Sequence, residues 1–88
     1  MMQFNFPPTK FAEENSGFSQ VYHVISEAFE AKEALLEGRN DDMLEELADL
    51  HHSLETFWRI LGKSLGEDHV EMIFERVILK NRKRGYYK

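Results

Sequence analysis

Two pairs of carboxylates, one on each side of a glycine turn, are the side chains in this sequence best suited to chemistry. Glu27 and Glu30 precede Gly38, and Glu46 and Asp49 follow it. Residues three apart lie on one face of an α-helix. Both pairs stand about 8 to 11 residues from the turn, so in antiparallel helices rising 1.5 Å per residue they reach the same height. The spacing predicts four carboxylates converging in one groove between two helices.

A structure that gathers four carboxylates needs a compensating cation, because like charges repel and each acid resists burial. Ligand sets made only of oxygen favour Mg²⁺ or Mn²⁺, and Mg²⁺ in proteins usually also binds substrate phosphates. The predicted chemistry is therefore hydrolysis of a phosphate ester or anhydride. The alternative is a solvated acidic face, which a chain with 16 acidic residues produces by chance. Apolar neighbours of both pairs, such as Leu47 and Phe29, favour the metal site.

Other chemistries find little support in the sequence. The chain has no cysteine, which excludes disulfides and thiolate metal sites. It also lacks a glycine-rich phosphate loop and a Gly-x-Ser-x-Gly nucleophile elbow. Asp49 and His52 have a spacing that suits a transition metal, but a di-iron bundle requires Glu-x-x-His pairs, which are absent. His51 lies on an apolar stripe and is expected to be a hydrogen-bonded core or interface histidine.

Apolar residues recur at spacings of three and four, which predicts an all-α protein. We expect an antiparallel helical bundle of three long helices plus a short N-terminal helix, in a single domain spanning residues 1–88. The short helix covers residues 10–15, after a Thr9 cap, within an N-terminal segment 1–17. The long helices cover residues 18–37 before Gly38, residues 41–61 before Gly62, and residues 67–84 before Gly85. Asp41 or Asp42 is expected to cap the third helix, with Glu45 completing a capping box.

The apolar stripe of the 41–61 helix is too wide for one buried face, which predicts a second neighbour across a subunit interface. A domain of this size without disulfides also has a thin stability margin. Both observations predict a homo-oligomer. The bundle would then be completed by oligomerisation.

The charge is divided unevenly along the chain. Five basic and 16 acidic residues give residues 1–75 a charge of −11, and six basic residues give the last 13 positions +6. Such a tail is either a solvated helix end, where cations suit the helix dipole, or an anion-binding segment. Nucleic-acid binding is less favoured, because the acidic body repels a polyanion.

The composition fits a folded domain, with 42% apolar and 31% charged residues. No apolar run approaches the roughly 18 residues of a membrane span, and no signal-peptide pattern opens the sequence. We therefore expect a protein of the reducing cytoplasm with no membrane partner.

Three segments together resemble the MazG-like all-α nucleoside triphosphate pyrophosphohydrolases. Those enzymes carry Glu-x-x-Glu on one helix and Glu-x-x-Asp on the next, here within SEAFEAKEALLEG and DDMLEELADLHHSL. Members also carry Lys, Asn and Arg near the end of the following helix, matched here in LKNRKRGYYK by Lys80, Asn81 and Arg84. Gln20 is similar to a glutamine common near the family's nucleotide site. The resemblance covers residues 18–86.

The resemblance implies a nucleoside or deoxynucleoside triphosphate substrate, cleaved to a monophosphate and pyrophosphate. It implies that one or more Mg²⁺ ions are held by the four acids, one of which also takes the proton from the attacking water. Lys80 and Arg84 would neutralise phosphate charge, and Asn81 would bind a phosphate or the sugar. It further implies an active site completed by association into a dimer or tetramer.

Two other functions remain open at the level of the sequence. One is a non-catalytic helical module whose surplus apolar surface binds another protein or another copy. The other is nucleic-acid binding through the basic tail, with binding that weakens steeply as salt rises.

Overall fold

The computed structural model describes residues 2–88, and every regular element in that range is a helix. The four helices are α1 (Phe11–Glu14), α2 (Gly17–Leu36), α3 (Asn40–Leu65) and α4 (Glu67–Lys83). This confirms the all-α class and the order of one short and three long helices.

Helix α2 has a defined start and a defined end, and its end forms the turn into α3. Ser16 caps the start of α2, where its Oγ accepts the backbone N–H of Ser19 at 3.1 Å. Gly38 ends the same helix with φ at 71°, a left-handed conformation that glycine adopts without a Cβ clash. The N–H of Arg39 then folds back to the carbonyl of Ala34 at 3.0 Å. Only three residues separate the two helices, so α3 returns antiparallel along α2.

Helix α3 is longer than the sequence predicts at both ends. It continues through Gly62 to Leu65, and it ends at Gly66, which has φ at 93°. A glycine inside a helix costs only about 1 kcal/mol relative to alanine, so Gly62 does not stop the helix. A Cβ at Gly62 would stand 3.5 Å from Cγ of Glu67 at the start of α4. Gly62 therefore marks a close approach between consecutive helices.

The predicted side-chain caps of α1 and α3 are wrong. Helix α3 begins at Asn40, one residue before Asp41, and no side chain caps it. Asp42 accepts a hydrogen bond from Arg39 at 2.9 Å and takes no part in a capping box. Thr9 contributes its backbone carbonyl to Ala12 at 3.1 Å, whereas its side chain does not cap α1.

Helix α3 is the element against which the others pack. Helix α2 lies along it, α1 packs on it, and within residues 2–88 α4 contacts α3 but not α2. Trp58 of α3 meets Phe74 of α4 with ring centroids 4.7 Å apart. One chain therefore does not close a three-helix bundle by itself, and completion by oligomerisation stays a prediction.

The buried apolar core is small for a chain of this length. It consists of Ala12, Ala31, Ala34, Ile60 and Val70. Large apolar side chains of α2 instead face outwards, with Phe18 83%, Tyr22 71% and Phe29 57% exposed. None of the helices in residues 2–88 combines the length and apolar character that a membrane crossing requires.

Candidate metal centre

Helices α2 and α3 bring the predicted acids together in the groove between them. One carboxylate oxygen from each of Glu27, Glu46 and Asp49 lies within 4.8 Å of the others. Glu30 joins them through a hydrogen bond with Glu46. The groups that meet are those at equal distances from the turn, as expected for antiparallel helices. We call these four residues the acidic cluster.

Two acids of the cluster, Glu27 and Glu46, hold protons more tightly than free carboxylates do. The hydrogen bond with Glu30, followed by burial and the charges of Glu30, Glu27 and Asp49, raises the pKa of Glu46 to about 7. Burial, followed by the charges of Glu30 and Asp49, raises the pKa of Glu27. Without a cation, Glu46 is therefore protonated over part of the pH range in which an ordinary glutamate is charged.

Two carboxylate oxygens of the acidic cluster are buried and accept no hydrogen bond from any residue in the described range. They are Oε2 of Glu27 and Oε2 of Glu46, one from each helix. Buried polar atoms are normally satisfied, so a pair of unsatisfied anionic oxygens at one place fits a bound cation. The oxygen-only donor set suits Mg²⁺ or Mn²⁺.

A cavity of about 220 Å³ opens beside the cluster, and Glu27 and Asp49 form part of its wall. His23 and His52 also line it, together with Thr9 and Phe11 from the N-terminal segment and residues 20, 53 and 56. His23 approaches Glu27 to 3.6 Å, which identifies a partner that the sequence did not indicate. The cavity offers space for a ligand directly next to the carboxylates.

Gln20 lines the same cavity but is already engaged within the chain. Its side chain is 1% exposed, and its Nε2 donates to the carbonyl of Ser53 at 2.9 Å. Its Oε1 accepts from Nδ2 of Asn15 at 2.9 Å. The structure therefore shows Gln20 tying α2 to α3, and its predicted role in nucleotide binding stays a prediction.

Lys80, Asn81 and Arg84 lie at the far end of α4, away from α2. Within residues 2–88, no contact between α4 and α2 brings these three residues to the acidic cluster. The Arg84 guanidinium stacks over the Tyr86 ring at 5.9 Å, and the carbonyl of Asn81 accepts the N–H of Tyr86 at 3.0 Å. Their predicted part in phosphate binding would require a second copy of the chain.

A second carboxylate of α3, Glu55, has a different environment that sequence reasoning missed. It is 5% exposed and accepts the backbone N–H groups of Asn5 and Phe6, both at 2.8 Å. Burial alone would raise the pKa of Glu55, but these N–H groups and His51 at 3.1 Å outweigh burial and lower the pKa. The available signal was an acid inside the apolar run LETFW, which implies a buried partner for the charge.

Glu55 thereby holds residues 4–9, which we call the N-terminal strap, across α3. Arg59 assists by donating from its Nη2 to the carbonyl of Phe6 at 2.9 Å. His51 hydrogen-bonds to Asn5 at 3.0 Å, so it is hydrogen-bonded as predicted. Its side chain is nevertheless 54% exposed, so the core alternative is wrong and the interface alternative stays a prediction.

A larger cavity of about 500 Å³ lies on the other side of the N-terminal strap. Its walls come from the strap, α1 and the later part of α3, and include Phe4, Trp58 and Lys63. None of the acids of the cluster lines it. The smaller cavity is therefore the one connected to the predicted chemistry.

Comparison with known proteins gives no further assignment: no family model, curated protein or solved structure matches this chain.

Proposed function

We propose that this protein is a Mg²⁺-dependent nucleoside triphosphate pyrophosphohydrolase that cleaves a nucleoside or deoxynucleoside triphosphate to the monophosphate and pyrophosphate. The observation that carries the proposal is the acidic cluster, with two buried carboxylate oxygens that lack donors. The resemblance of the two acidic motifs and of the Lys-Asn-Arg ending to the MazG-like enzymes supplies the substrate class.

Glu27, Glu30, Glu46 and Asp49 would hold the metal, which supplies charge neutralisation of the phosphates and a more acidic water. The cluster also offers a proton acceptor, because one of its carboxylates takes the proton of the attacking water. A new bond forms between the water oxygen and the α-phosphorus. The bond from the α-phosphorus to the bridging oxygen breaks, and pyrophosphate leaves with that oxygen.

The substrate phosphates would also need cations that a single chain does not bring to the cluster. We infer that the protein acts as a homo-oligomer, in which Lys80, Asn81 and Arg84 of one copy reach the site of another. The exposed apolar residues of α2 support association, since Phe18, Tyr22 and Phe29 are each more than half exposed. Large exposed apolar patches on small domains mark interaction surfaces.

The decisive experiment measures pyrophosphate release from a panel of canonical and modified nucleoside triphosphates, with and without Mg²⁺. We expect metal-dependent release that Glu46→Gln abolishes and the neighbouring Glu45→Gln retains, because Glu45 is exposed and outside the cluster. In ¹⁸O-labelled water the label should enter the monophosphate, and label in pyrophosphate would instead place the attack at the β-phosphorus. Release that survives Glu46→Gln would contradict the proposal.

The second candidate is a non-catalytic helical module of the same fold, which the extent of exposed apolar surface favours. It predicts stable self-association or binding of another protein, no pyrophosphate release, and no metal-dependent shift in melting temperature. Absence of release from a well-folded oligomer would favour this function over hydrolysis.

A further inference from the structure

Three hydrogen bonds with the charged side chains of Glu55 and Arg59 fix the N-terminal strap to α3. Both backbone groups of Phe6 are engaged, its N–H by Oε1 of Glu55 at 2.8 Å and its carbonyl by Arg59 at 2.9 Å. The Glu55 carboxylate also accepts the N–H of Asn5 at 2.8 Å. Hydrogen bonds to charged groups are stronger than neutral ones, so Phe6 is held in one position.

The side chain of Phe6 lies against the wall of the cavity beside the acidic cluster. Its ring stacks on that of His52, with centroids 4.4 Å apart and planes inclined by 15°. His52 lines the cavity together with Glu27 and Asp49. The strap continues past the stack to Thr9, which lines the same cavity and stands 3.5 Å from the hydroxyl of Thr56.

The orientation of the His52 ring depends on that stack. Nε2 of His52 is buried and has no hydrogen-bond partner within residues 2–88. A histidine at a functional site is usually oriented by a hydrogen bond from one ring nitrogen to a carboxylate or carbonyl. Nε2 forms no such bond here, and the flat contact with Phe6 restrains the ring plane instead.

We propose that Phe6 is a positioning residue, which holds His52 as a wall of the substrate cavity and thereby makes the N-terminal strap part of the substrate site. This inference rests on the proposed function, because the substrate in question is the nucleoside triphosphate. The chain of contacts runs from Glu55 and Arg59 to the backbone of Phe6, from its ring to His52, and from His52 to the cavity. Phe6 is not itself one of the residues that line the cavity, and it reaches the cavity only through His52.

The test compares three substitutions at Phe6 with a control at Phe74. Phe6→Ala removes the stack, Phe6→Leu keeps apolar volume without a planar ring, and Phe6→Tyr keeps the planar ring. Phe74→Leu is the matched control, since Phe74 also packs on an aromatic ring of α3, that of Trp58 with centroids 4.7 Å apart, but lies outside the N-terminal strap and the cavity beside the acidic cluster. Steady-state kinetics use the triphosphate that the pyrophosphate-release panel ranks first. Direct binding uses its α,β-methylene analogue with Mg²⁺.

We expect KM and the dissociation constant of the analogue to rise about five- to tenfold in Phe6→Ala and Phe6→Leu, with a smaller change in kcat, because the substrate loses a fixed wall while the acidic cluster stays intact. Phe6→Tyr should keep KM and the dissociation constant of the analogue within about twofold of the wild-type values. Phe74→Leu should leave both constants unchanged. A purely structural role would lower the melting temperature of the Phe6 variants without this selective change in binding.

The outcomes separate this inference from the proposed function. Pyrophosphate release by the wild type with unchanged KM and binding in Phe6→Ala would overturn the positioning role alone. Equal losses in Phe6→Tyr and Phe6→Leu would also overturn it, since the planar ring would then not be the cause. If the wild type neither releases pyrophosphate nor binds the analogue, the proposed function is overturned, and this inference with it.

Discussion

Helix α3 carries buried carboxylates in two regions that differ in what surrounds them. In the acidic cluster, Oε2 of Glu46 and Oε2 of Glu27 are buried without a donor, and the pKa of Glu46 is raised to about 7. About two turns further along, Glu55 receives two backbone N–H groups and a histidine, and its pKa is lowered. In the first region His23 approaches Glu27 to 3.6 Å but two buried oxygens have no donor, whereas in the second Glu55 has three partners.

The difference indicates the role of each region. A buried carboxylate with a full set of donors contributes to folding, since the charged form is stabilised within the chain. A group of buried carboxylates without donors opposes folding and is retained where a bound cation compensates. The supply of donors therefore distinguishes the strap anchor at Glu55 from the metal centre that we propose at the acidic cluster.

The largest expected effect is the loss of activity when the acidic cluster is altered. Asp49→Asn should lower kcat/KM at least about 100-fold, because it removes a ligand of the proposed metal ion together with its charge. The fold should persist, as judged by circular dichroism and size-exclusion chromatography. Glu45→Gln is the control, because it also removes one negative charge but at an exposed position outside the cluster. Comparable losses in both variants would show that the effect is one of overall charge.

The next effect is on stability, at the other region. Glu55→Ala should lower the free energy of unfolding by about 2–3 kcal/mol, because two backbone N–H groups and His51 lose their anionic partner. Denaturant unfolding measures this change. Glu33→Ala on the exposed face of α2 is the control and should change stability by less than about 0.5 kcal/mol. If Glu55→Ala unfolds no more readily than this control, the comparison between the two regions fails.

The smallest effect is the pH dependence of stability, which should have opposite signs in the two regions. The folded state holds the Glu46 proton up to a pKa of about 7, against an ordinary value of 4.5, so its contribution falls as pH rises through that window without metal. Glu55 has a lowered pKa, so its contribution is present above the ordinary value and is lost as the solution becomes more acidic.

Thermal melting across this pH range, with and without Mg²⁺, measures both contributions. Glu46→Gln should flatten the slope between about pH 5 and pH 7. Mg²⁺ at ten times its dissociation constant should stabilise the wild type by about 1.4 kcal/mol, and less at lower pH because the proton competes with the metal. Equal stabilisation of Glu46→Gln by Mg²⁺ would place the ion elsewhere.

Much of the fold follows from local patterns that a single sequence displays. Recurrent apolar spacings predict the helices, and Gly38 and Gly85 end α2 and α4 where expected, because a positive φ is a local requirement. The ends of α3 were less predictable. Gly62 and Gly66 are both plausible stops, and the helix ends at Gly66, which is the one with a positive φ.

The candidate site likewise has one part that follows from residues near in sequence and one part that depends on residues far apart. The convergence of Glu27 with Asp49 and of Glu30 with Glu46 follows from helical periodicity and a short turn, which depend only on residues near in sequence. The strap on Glu55, by contrast, joins residues about 50 apart. No periodicity marks that contact.

The amino-acid sequence by itself thus determined the helices, the turn and the meeting of four acids, since each arises from regular geometry over a few residues. Only the tertiary structure decided which carboxylates have donors, that Gln20 is engaged between helices, and that Phe6 lies on His52. Burial and hydrogen-bond partners are set by residues distant in the chain, and these partners separate the anchor at Glu55 from the acidic cluster.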